Sequence, residues 1–296
     1  METEGTGKAL CFDGRLLKAF AASLERSPHS VASYRKSLAY FFAYLSEKGI
    51  NRPESVDIAA YREVLSASEK KPGTVHSYLA AVKAFFRWTE AKGLYQNIAE
   101  KIVHPKVDHA PHRKTLTGAQ MKKVLDGIDR GDIRGKRDYA LLALMVTGGL
   151  DRLEVVQAQV GDLRMSQIGP GLHIRGGRGG SVKVPPHTWR ALLDYLEARE
   201  PLEEDAPLFV SVSNRTQGQK KPLTVGSISR IVKGALRDAG FDDAMLSAQS
   251  LRFTALKLAL QGGESLEDVQ KFARHKTIRT TFLYEQKPSP PVDGKE

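Results

Sequence analysis

Three polar residues in the last third of the chain have the types and order of a site that cleaves phosphodiesters. They are Arg252 in the string AQSLRFTALKLAL, and His275 and Tyr284 in the string FARHKTIRTTFLYEQ. An arginine can hold two phosphate oxygens at once with its planar guanidinium. A histidine can stabilise developing charge, and a tyrosine hydroxyl can attack phosphorus to form a covalent intermediate. The series therefore predicts a phosphoryl-transfer site, although a core tyrosine and an ion-paired surface arginine are the structural alternatives.

A strong excess of basic residues predicts a polyanionic partner. The 296 residues include 45 Lys and Arg against 34 Asp and Glu, which gives a formal net charge of +11. Both halves of the chain share this excess, so no single tail accounts for it. Cations near a phosphate backbone release condensed counterions, and this release drives nucleic-acid binding. We therefore favour nucleic acid as the partner, with a charge that serves only solubility as the alternative.

The same composition excludes several protein classes. No apolar run approaches the ~18 to 20 residues of a membrane span, so we expect no membrane partner. The first 15 residues are polar and lack the pattern of a signal peptide, and Cys11 is the only cysteine. Both features predict a protein of the reducing cytoplasm. His104, His109 and His112 fit no metal-ligand spacing, so we expect no metal site.

Apolar positions at a helical period predict a four-helix domain over residues 12–103. Pro72 and Gly73 interrupt the pattern, and Gly93 ends the last helix. An aromatic run in this helix could stack on nucleobases, but its helical spacing favours core packing. The run consists of Phe85, Phe86, Trp88 and Tyr95. A polar, cationic stretch with two prolines follows and predicts an interdomain linker at residues 104–114.

A second domain is predicted over residues 115–287, followed by a flexible tail at residues 288–296. It opens with Thr117 and Gln120, a capping-box pair in front of an amphipathic helix. Further helices are predicted at residues 137–147, at residues 152–159 and from Thr188 onward. Between them, the strings LHIR and SVKVP flank the turn GGRGG and predict a β-hairpin.

The motifs of both domains resemble those of the tyrosine recombinase (phage integrase) family, most closely its XerC/XerD-like members from bacteria and mobile elements. The resemblance covers about residues 12–286 and includes TGGLDRLEV, the hairpin and SLRFTA. Its most specific part is ARHKTIRTTFLY, which resembles the family block GHSSIxTTxxYxH and keeps the nine-residue step from His275 to Tyr284. The implied fold is mainly α with a small β-sheet or hairpin. It combines a helical core-binding domain with a mixed α/β catalytic domain.

The resemblance also implies an activity, site-specific DNA recombination or integration. Two domains would clamp double-stranded DNA, and four subunits would form a homo- or hetero-tetramer at a synapse. The resemblance makes Tyr284 the nucleophile, Arg252 the second of two catalytic arginines and His275 a phosphate contact. Attack by the tyrosine would leave a 3′-phosphotyrosyl link and free a 5′-hydroxyl, without a metal, a nucleotide cofactor or a small-molecule substrate. Fixed cations would then stabilise the charge of the transition state.

The first catalytic arginine of the family is absent from its expected place. The family box reads roughly TGLRxxE, and the alignment that matches Glu154 to its glutamate puts Asp151 on the arginine. Arg152 is the next residue, but one step along a helix turns a side chain by about 100°. A carboxylate beside a phosphate repels the charge that the site must stabilise. Asp151 therefore predicts impaired catalysis.

Two further family positions differ. The catalytic lysine of the hairpin turn is replaced by Gly177 or Arg178, with Lys183 on the return strand as another candidate. Arginine can hold phosphate, but its high pKa makes it a poor proton donor. The first residue of the family's HxxR box is Gln249, which can hydrogen-bond phosphate but cannot transfer a proton.

Three of the six expected catalytic positions are thus altered, and two hypotheses remain. The first is a recombinase with an impaired site, in which Tyr284 is the nucleophile, Arg252 and either Arg152 or Arg178 hold the phosphate, and His275 and Gln249 are hydrogen-bond donors. The second is a DNA-binding protein that no longer cuts and acts as regulator or partner of an active recombinase. In both cases we expect DNA contacts from basic residues of the linker, the hairpin and the last helix. These residues are Lys183, Arg175, Lys106, Arg113, Lys114 and Arg279.

Overall fold

Helices account for most of both parts of the chain, as the apolar periodicity predicts. The computed structural model describes residues 10–105, 114–167, 169–176, 179–199, 202–212 and 221–285. The chain divides into two units, Met1–His109 and Ala110–Glu296. The predicted fold class is confirmed, since a mainly α chain carries one small antiparallel sheet.

Four helices form the part of the first unit that the structure describes, residues 10–105. They are α1 (Gly14–Ala22), α2 (Pro28–Glu47), α3 (Ser55–Ala67) and α4 (Pro72–Ala91). Pro28 and Pro72 each occupy the first turn of their helix, where the missing N–H has no partner to lose. Gly49 and Gly93, with φ of 67° and 65°, follow α2 and α4 and end them in a conformation that suits glycine.

The core of this first unit is aromatic. Phe85 and Phe86 are fully buried, and Phe85 meets Phe20 edge to face with ring centroids 5.6 Å apart. Trp88 and Tyr95 pack against the same cluster. The preference for core packing over base stacking is therefore confirmed for this aromatic run, because its rings pack against one another in the core.

Eight helices belong to the described part of the second unit. They are α5 (Gly118–Asp126), α6 (Ile133–Thr147), α7 (Arg152–Gln157), α8 (Pro186–Glu197), α9 (Val225–Asp238), α10 (Ala248–Gln261), α11 (Leu266–Ala273) and α12 (Ile278–Glu285). The capping box of Thr117 and Gln120 in front of α5 is confirmed. The helix predicted at 137–147 begins one turn earlier, because Asp132 caps it by accepting a hydrogen bond from the Gly135 N–H at 2.7 Å. No helix in the described ranges is long and apolar enough to cross a bilayer.

A three-stranded antiparallel sheet lies where the hairpin is predicted. Its strands are β1 (Leu163–Ser166), β2 (Gly169–His173) and β3 (Ser181–Lys183), in that order. Leu172 and Val182 pair across β2 and β3, and both are buried, whereas Lys183 is exposed. The sequence analysis missed β1 although its residues, LRMS, alternate apolar and polar side chains, because a run of four residues is the shortest that can indicate a strand.

Helix α6 runs through the centre of the second core. Every residue from 140 to 145 is completely buried, so this segment of the helix is apolar on all sides. It packs against α8 and α10. Helix α10 in turn contacts α11 and α12. This arrangement brings α10 and α12, which carry Arg252 and Tyr284, together with the C-terminal end of α11, which His275 follows.

Candidate active site

Arg252, His275 and Tyr284 come together in the second unit. The ring of Tyr284 in α12 stacks on the His275 ring with centroids 5.3 Å apart, and it lies 4.7 Å from the Phe253 ring of α10. Arg252 directly precedes Phe253 in α10, and its positive charge acts on the Tyr284 phenol. The α11–α12 connection thus brings a nucleophile candidate back onto the helix that carries the arginine.

Arg252 is held rigidly below the surface. Only 7% of the residue is exposed. Its Nη1 donates to the Gly149 carbonyl at 2.8 Å and to Glu154 Oε2 at 3.1 Å, and its Nη2 donates to the Ala273 carbonyl. Burial lowers the pKa of Arg252, and the nearby Glu154 carboxylate partly offsets that effect. A guanidinium fixed in this way can offer its remaining N–H groups to an anion without reorganisation.

Glu154 lies between two arginines. Besides Arg252, its carboxylate accepts hydrogen bonds from Arg274, with Nε at 2.7 Å from Oε1 and Nη2 at 2.8 Å from Oε2. This bidentate geometry is the strong form of an ion pair. Arg274 ends α11 in a left-handed conformation, with φ of 57°. The carboxylate therefore fixes the position of both guanidinium groups.

His275 is a buried, uncharged group at neutral pH. The residue is 9% exposed, and its Nδ1 lies 3.0 Å from Thr281 Oγ1. Burial, together with the charges of Arg252 and Arg274, lowers the pKa of His275 to about 4. A neutral imidazole can hydrogen-bond a phosphate oxygen, but it adds no positive charge.

Tyr284 is a protonated phenol at neutral pH. Burial raises its pKa to about 12, and the positive charge of Arg252 only partly offsets this rise. The unperturbed pKa of tyrosine is about 10. Attack on phosphorus consequently requires loss of the phenol proton during the reaction.

The altered family positions have identifiable structural roles. Asp151 is the N-cap of α7, where its carboxylate accepts hydrogen bonds from the backbone N–H groups of Leu153 at 2.8 Å and Glu154 at 2.9 Å. Arg152 Nη1 donates to Ser229 Oγ in α9 at 2.7 Å, a contact outside the group formed by Arg252 and its partners. Arg152 thus contacts α9 in this structure, and its part in catalysis stays a prediction.

Gln249 lies three residues before Arg252 in α10, on the same face of the helix, and is half-buried. Its role in catalysis stays a prediction.

The predicted DNA-binding residues have different surroundings. Lys183 in β3 and Arg279 in α12 are exposed. Arg175 Nε pairs with Asp162 Oδ2 at 2.6 Å, and Lys114 Nζ pairs with Asp243 Oδ2 at 2.7 Å. These partners give Arg175 and Lys114 structural roles within the unit. Three other predicted residues lie outside the described ranges, namely Lys106, Arg113 and Arg178.

Two family profiles match the chain. The N-terminal SAM-like domain of phage integrases matches residues 16–93, and the phage integrase family matches residues 114–289, which is more than half of the chain. The chain belongs to the phage integrase family. The resemblance inferred from the sequence motifs is therefore confirmed.

Named relatives of this phage integrase family member are tyrosine recombinases. A tyrosine recombinase of Synechocystis sp. is 26% identical over 279 residues, which cover 88% of this chain and 87% of the relative. The recombinase XerC of Pelobacter propionicus is 27% identical and covers 90% of this chain and 89% of its own. XerD of Listeria innocua is 24% identical over 87% of this chain and 88% of its own.

Solved structures of recombinases share the fold. XerH bound to its difH substrate, in a pre-cleavage complex, matches with a TM-score of 0.74 and 18% identity over 96% of this chain and 95% of that chain. A lambda integrase dimer bound to a COC′ core site matches with a TM-score of 0.70 and 16% identity over 95% of this chain and 98% of that chain. At such identities the likeness shows a common fold and leaves the chemistry to the residues of this chain.

Sequence reasoning missed Arg274 as a site residue and used Glu154 only to align a motif. Both are central to the geometry, because Glu154 contacts Arg252 and Arg274 together. A signal for Arg274 was present: the family block GHSSIxTTxxYxH has glycine before its histidine, and this phage integrase family member has Arg274 there. An arginine in place of a glycine is a large change in charge and volume at a motif position.

Proposed function

We propose that this chain cleaves and rejoins strands of duplex DNA through Tyr284, in site-specific recombination or integration. The observation that carries the proposal is the position of Tyr284. Its ring stacks on the His275 ring of the same chain, and the positive charge of Arg252 acts on its phenol. A nucleophile, a neutral hydrogen-bonding imidazole and a fixed guanidinium within one site suit phosphoryl transfer better than any other reaction.

In the proposed reaction, Tyr284 Oη attacks phosphorus as the bond from phosphorus to the 5′ oxygen breaks. The product is a 3′-phosphotyrosyl link, the phenol loses its proton and the leaving oxygen gains one. Arg252 would hold nonbridging oxygens of the phosphate. With its proton on Nε2 and Nδ1 accepting from Thr281, His275 would donate a hydrogen bond to the same phosphate. Rejoining is the reverse reaction with a new 5′-hydroxyl.

We propose further that this reaction is slow. Asp151 lies near enough to Arg252 for its charge to act on that guanidinium, and it would also repel a bound phosphate. Gln249 cannot act as a general acid, and neutral His275 would have to become an imidazolate anion to give up its N–H proton. Loss of one electrostatic donor commonly lowers a rate by ~10² to 10³, so a measurable but weak activity is the expected result.

The proposed partner is duplex DNA, with a homo- or hetero-tetramer as the assembly. The net charge of +11 supports a multi-phosphate grip, and recombinases of the same fold have been solved on DNA, XerH on difH and a lambda integrase dimer on a core site. Lys183 and Arg279 are exposed and can contact the phosphate backbone. The affinity should fall steeply with salt if several phosphates are neutralised.

A second candidate function is that of a DNA-bound partner that does not cut. Asp151 favours it, because the residue is firmly built into the N-cap of α7 and keeps a carboxylate beside the arginines. Such a chain would occupy part of a mixed tetramer and regulate cleavage by an active relative. It would bind the same DNA as the first candidate but form no covalent link.

One experiment separates the two candidates. The full chain is used to select its binding site from a library of random duplexes, and the selected site is then made as a substrate with a nick close to each possible cleavage point. Cleavage releases a short fragment, so the covalent complex accumulates instead of rejoining. We expect a covalent protein–DNA band that Tyr284→Phe abolishes. Tight binding without any band would overturn the enzymatic proposal and leave the non-cutting partner.

A further inference from the structure

Arg274 has an unusual backbone conformation. Among the described residues it is the one non-glycine residue with a positive φ, 57°, and it lies at the C-terminal end of α11. Glycine is the usual residue here because it has no Cβ to clash, and another residue loses roughly 1 kcal/mol. An arginine at such a position calls for a compensating role of its side chain.

The Arg274 side chain turns into the site rather than into solvent. It is 8% exposed, and its guanidinium binds both oxygens of Glu154. Its Nη2 also donates to the Gly149 carbonyl at 3.1 Å, and its Nη1 donates to the Phe272 carbonyl at 2.7 Å. Arg252 uses the same carboxylate and the same Gly149 carbonyl. The two guanidinium groups are therefore neighbours that share two acceptors.

These two groups keep N–H donors for a ligand. The hydrogen bonds of Arg274 to Glu154, Gly149 and Phe272 use four of its five N–H groups. Those of Arg252 to described residues use three of its five. The described contacts thus leave one Nη1 hydrogen on Arg274, and the Nε hydrogen and one Nη2 hydrogen on Arg252. An anion with several oxygens matches three such donors.

An anion can reach Arg274 from solvent. Arg274 and His275 line a surface cleft of about 570 Å³ together with Lys271 of α11 and Gly179 at the end of the hairpin turn. Lys271 and Glu267 place opposite charges on its rim, and Lys271 Nζ pairs with Asp268 Oδ1 at 3.1 Å. The cleft joins Arg274 to the imidazole that stacks on Tyr284. A phosphate bound there would contact Arg274 and His275, whose neighbours Arg252 and Tyr284 lie behind the described lining of the cleft.

We propose that Arg274 is the second phosphate-binding arginine of this site, and that it supplies from the end of α11 the charge that Asp151 fails to supply at the start of α7. This inference rests on the proposed function, since it names a ligand group for the same site. It predicts that a phosphodiester oxygen contacts Arg252 and Arg274 together. The alternative is that Arg274 only neutralises Glu154.

The test replaces single DNA phosphates by neutral methylphosphonates. The selected duplex is scanned position by position, with the binding measured in a Tyr284→Phe background so that no strand is cut. We expect the parent to lose about tenfold in affinity at the phosphate held by the arginines, as for a charge-assisted hydrogen bond. In Arg274→Gly, the methylphosphonate at that phosphate should cause little further loss of affinity, and Arg252→Ala should show the same insensitivity at the same phosphate. The effects of methylphosphonates at the other positions should stay unchanged.

The choice of variants separates a phosphate contact from a structural role. Arg274→Gly relaxes the backbone, so thermal unfolding will show whether the fold persists. Adding Glu154→Gln to Arg274→Gly removes the charge that Arg274 would neutralise. If Arg274 contacts phosphate, the double variant stays as insensitive to the methylphosphonate at that phosphate as Arg274→Gly alone. If Arg274 only neutralises Glu154, the double variant again loses affinity at that phosphate as the parent does.

The outcomes distinguish this inference from the proposed function. A methylphosphonate scan that is identical in the parent and in Arg274→Gly overturns the role of Arg274, whatever the covalent assay shows. Absence of a covalent band overturns cleavage, but the scan still reports the phosphate contact. Failure to select any duplex would overturn both proposals.

Discussion

The two units of this chain bury different kinds of side chain. The first unit encloses rings such as Phe20, Phe85 and Phe86, which contact one another. The second unit encloses the charged Arg252 and the polar His275 beside its apolar core, each held by named hydrogen bonds. Apolar burial stabilises a fold without further conditions, whereas a buried polar group is tolerated only with partners.

The difference shows where the fold serves stability and where it serves a site. In the first unit the packing needs only apolar residues at the right spacing. In the second unit Glu154, Arg252 and Arg274 come from three separate elements, and each fixes the others. A site whose polar groups are already fixed meets a charged transition state without reorganisation. The next three predictions test this contrast, from the largest expected effect to the smallest.

The largest effect is expected from Phe85→Ala in the aromatic core. The change removes a fully buried ring and should lower the free energy of unfolding of the first unit by about 3 to 5 kcal/mol. Denaturant unfolding of the full chain with Trp189→Phe, followed by the fluorescence of Trp88, measures it, because the second tryptophan of the chain lies in the other unit. Tyr40→Ala is the matched control, because 48% of that residue of the same unit is exposed. Equal effects of the two changes would contradict the contrast.

A smaller effect is expected from the titration of His275. Its folded pKa of about 4 lies below the ordinary value of 6.5, since burial and two arginines oppose its protonation. Between about pH 4 and pH 6.5, His275 is therefore protonated in the unfolded chain but neutral in the folded chain. The stability from neutral His275 is complete above pH 6.5 and declines as the pH falls from 6.5 towards 4.

Unfolding measured at pH 7, 6 and 5 tests this dependence. His275→Gln keeps a hydrogen-bonding side chain but has no titrating group in this range. The wild-type chain should lose more stability between pH 7 and pH 5 than the variant. Parallel losses in the two proteins would show that His275 is not the group responsible.

The smallest effect is expected at Asp151, where cap and charge can be separated. Asp151→Asn keeps a good N-cap and removes the carboxylate, so stability should change little. Asp151→Ala removes both and should lower the free energy of unfolding by about 1 kcal/mol. Both changes should increase the yield of the Tyr284-linked DNA complex, because both remove repulsion from the phosphate. An increase in neither variant would mean that the charge of Asp151 does not reach the reacting phosphate.

Local patterns predicted much of the fold and part of the site. The four helices of the first unit, the capping box at Thr117 and the buried aromatic run all depend on neighbours in sequence, which periodicity and cap residues describe. Strand β1 escaped prediction because its alternation of apolar and polar residues extends over only four positions. The pairing of Arg175 with Asp162 was missed for another reason: their side chains meet only when the sheet and the turn before it are in place.

By itself, the sequence determined the helical character of both units, the order of Arg252, His275 and Tyr284, and the family to which the chain belongs. Only the tertiary structure decided which charges meet. Arg274 and Glu154 are 120 residues apart, and their ion pair exists because the fold brings the end of α11 next to the first turn of α7. Motif spacing records distances along the chain, whereas electrostatic interaction depends on distances in space. For that reason, motif spacing did not reveal that Arg274 at the end of α11 could supply the charge of the arginine that is absent at position 151.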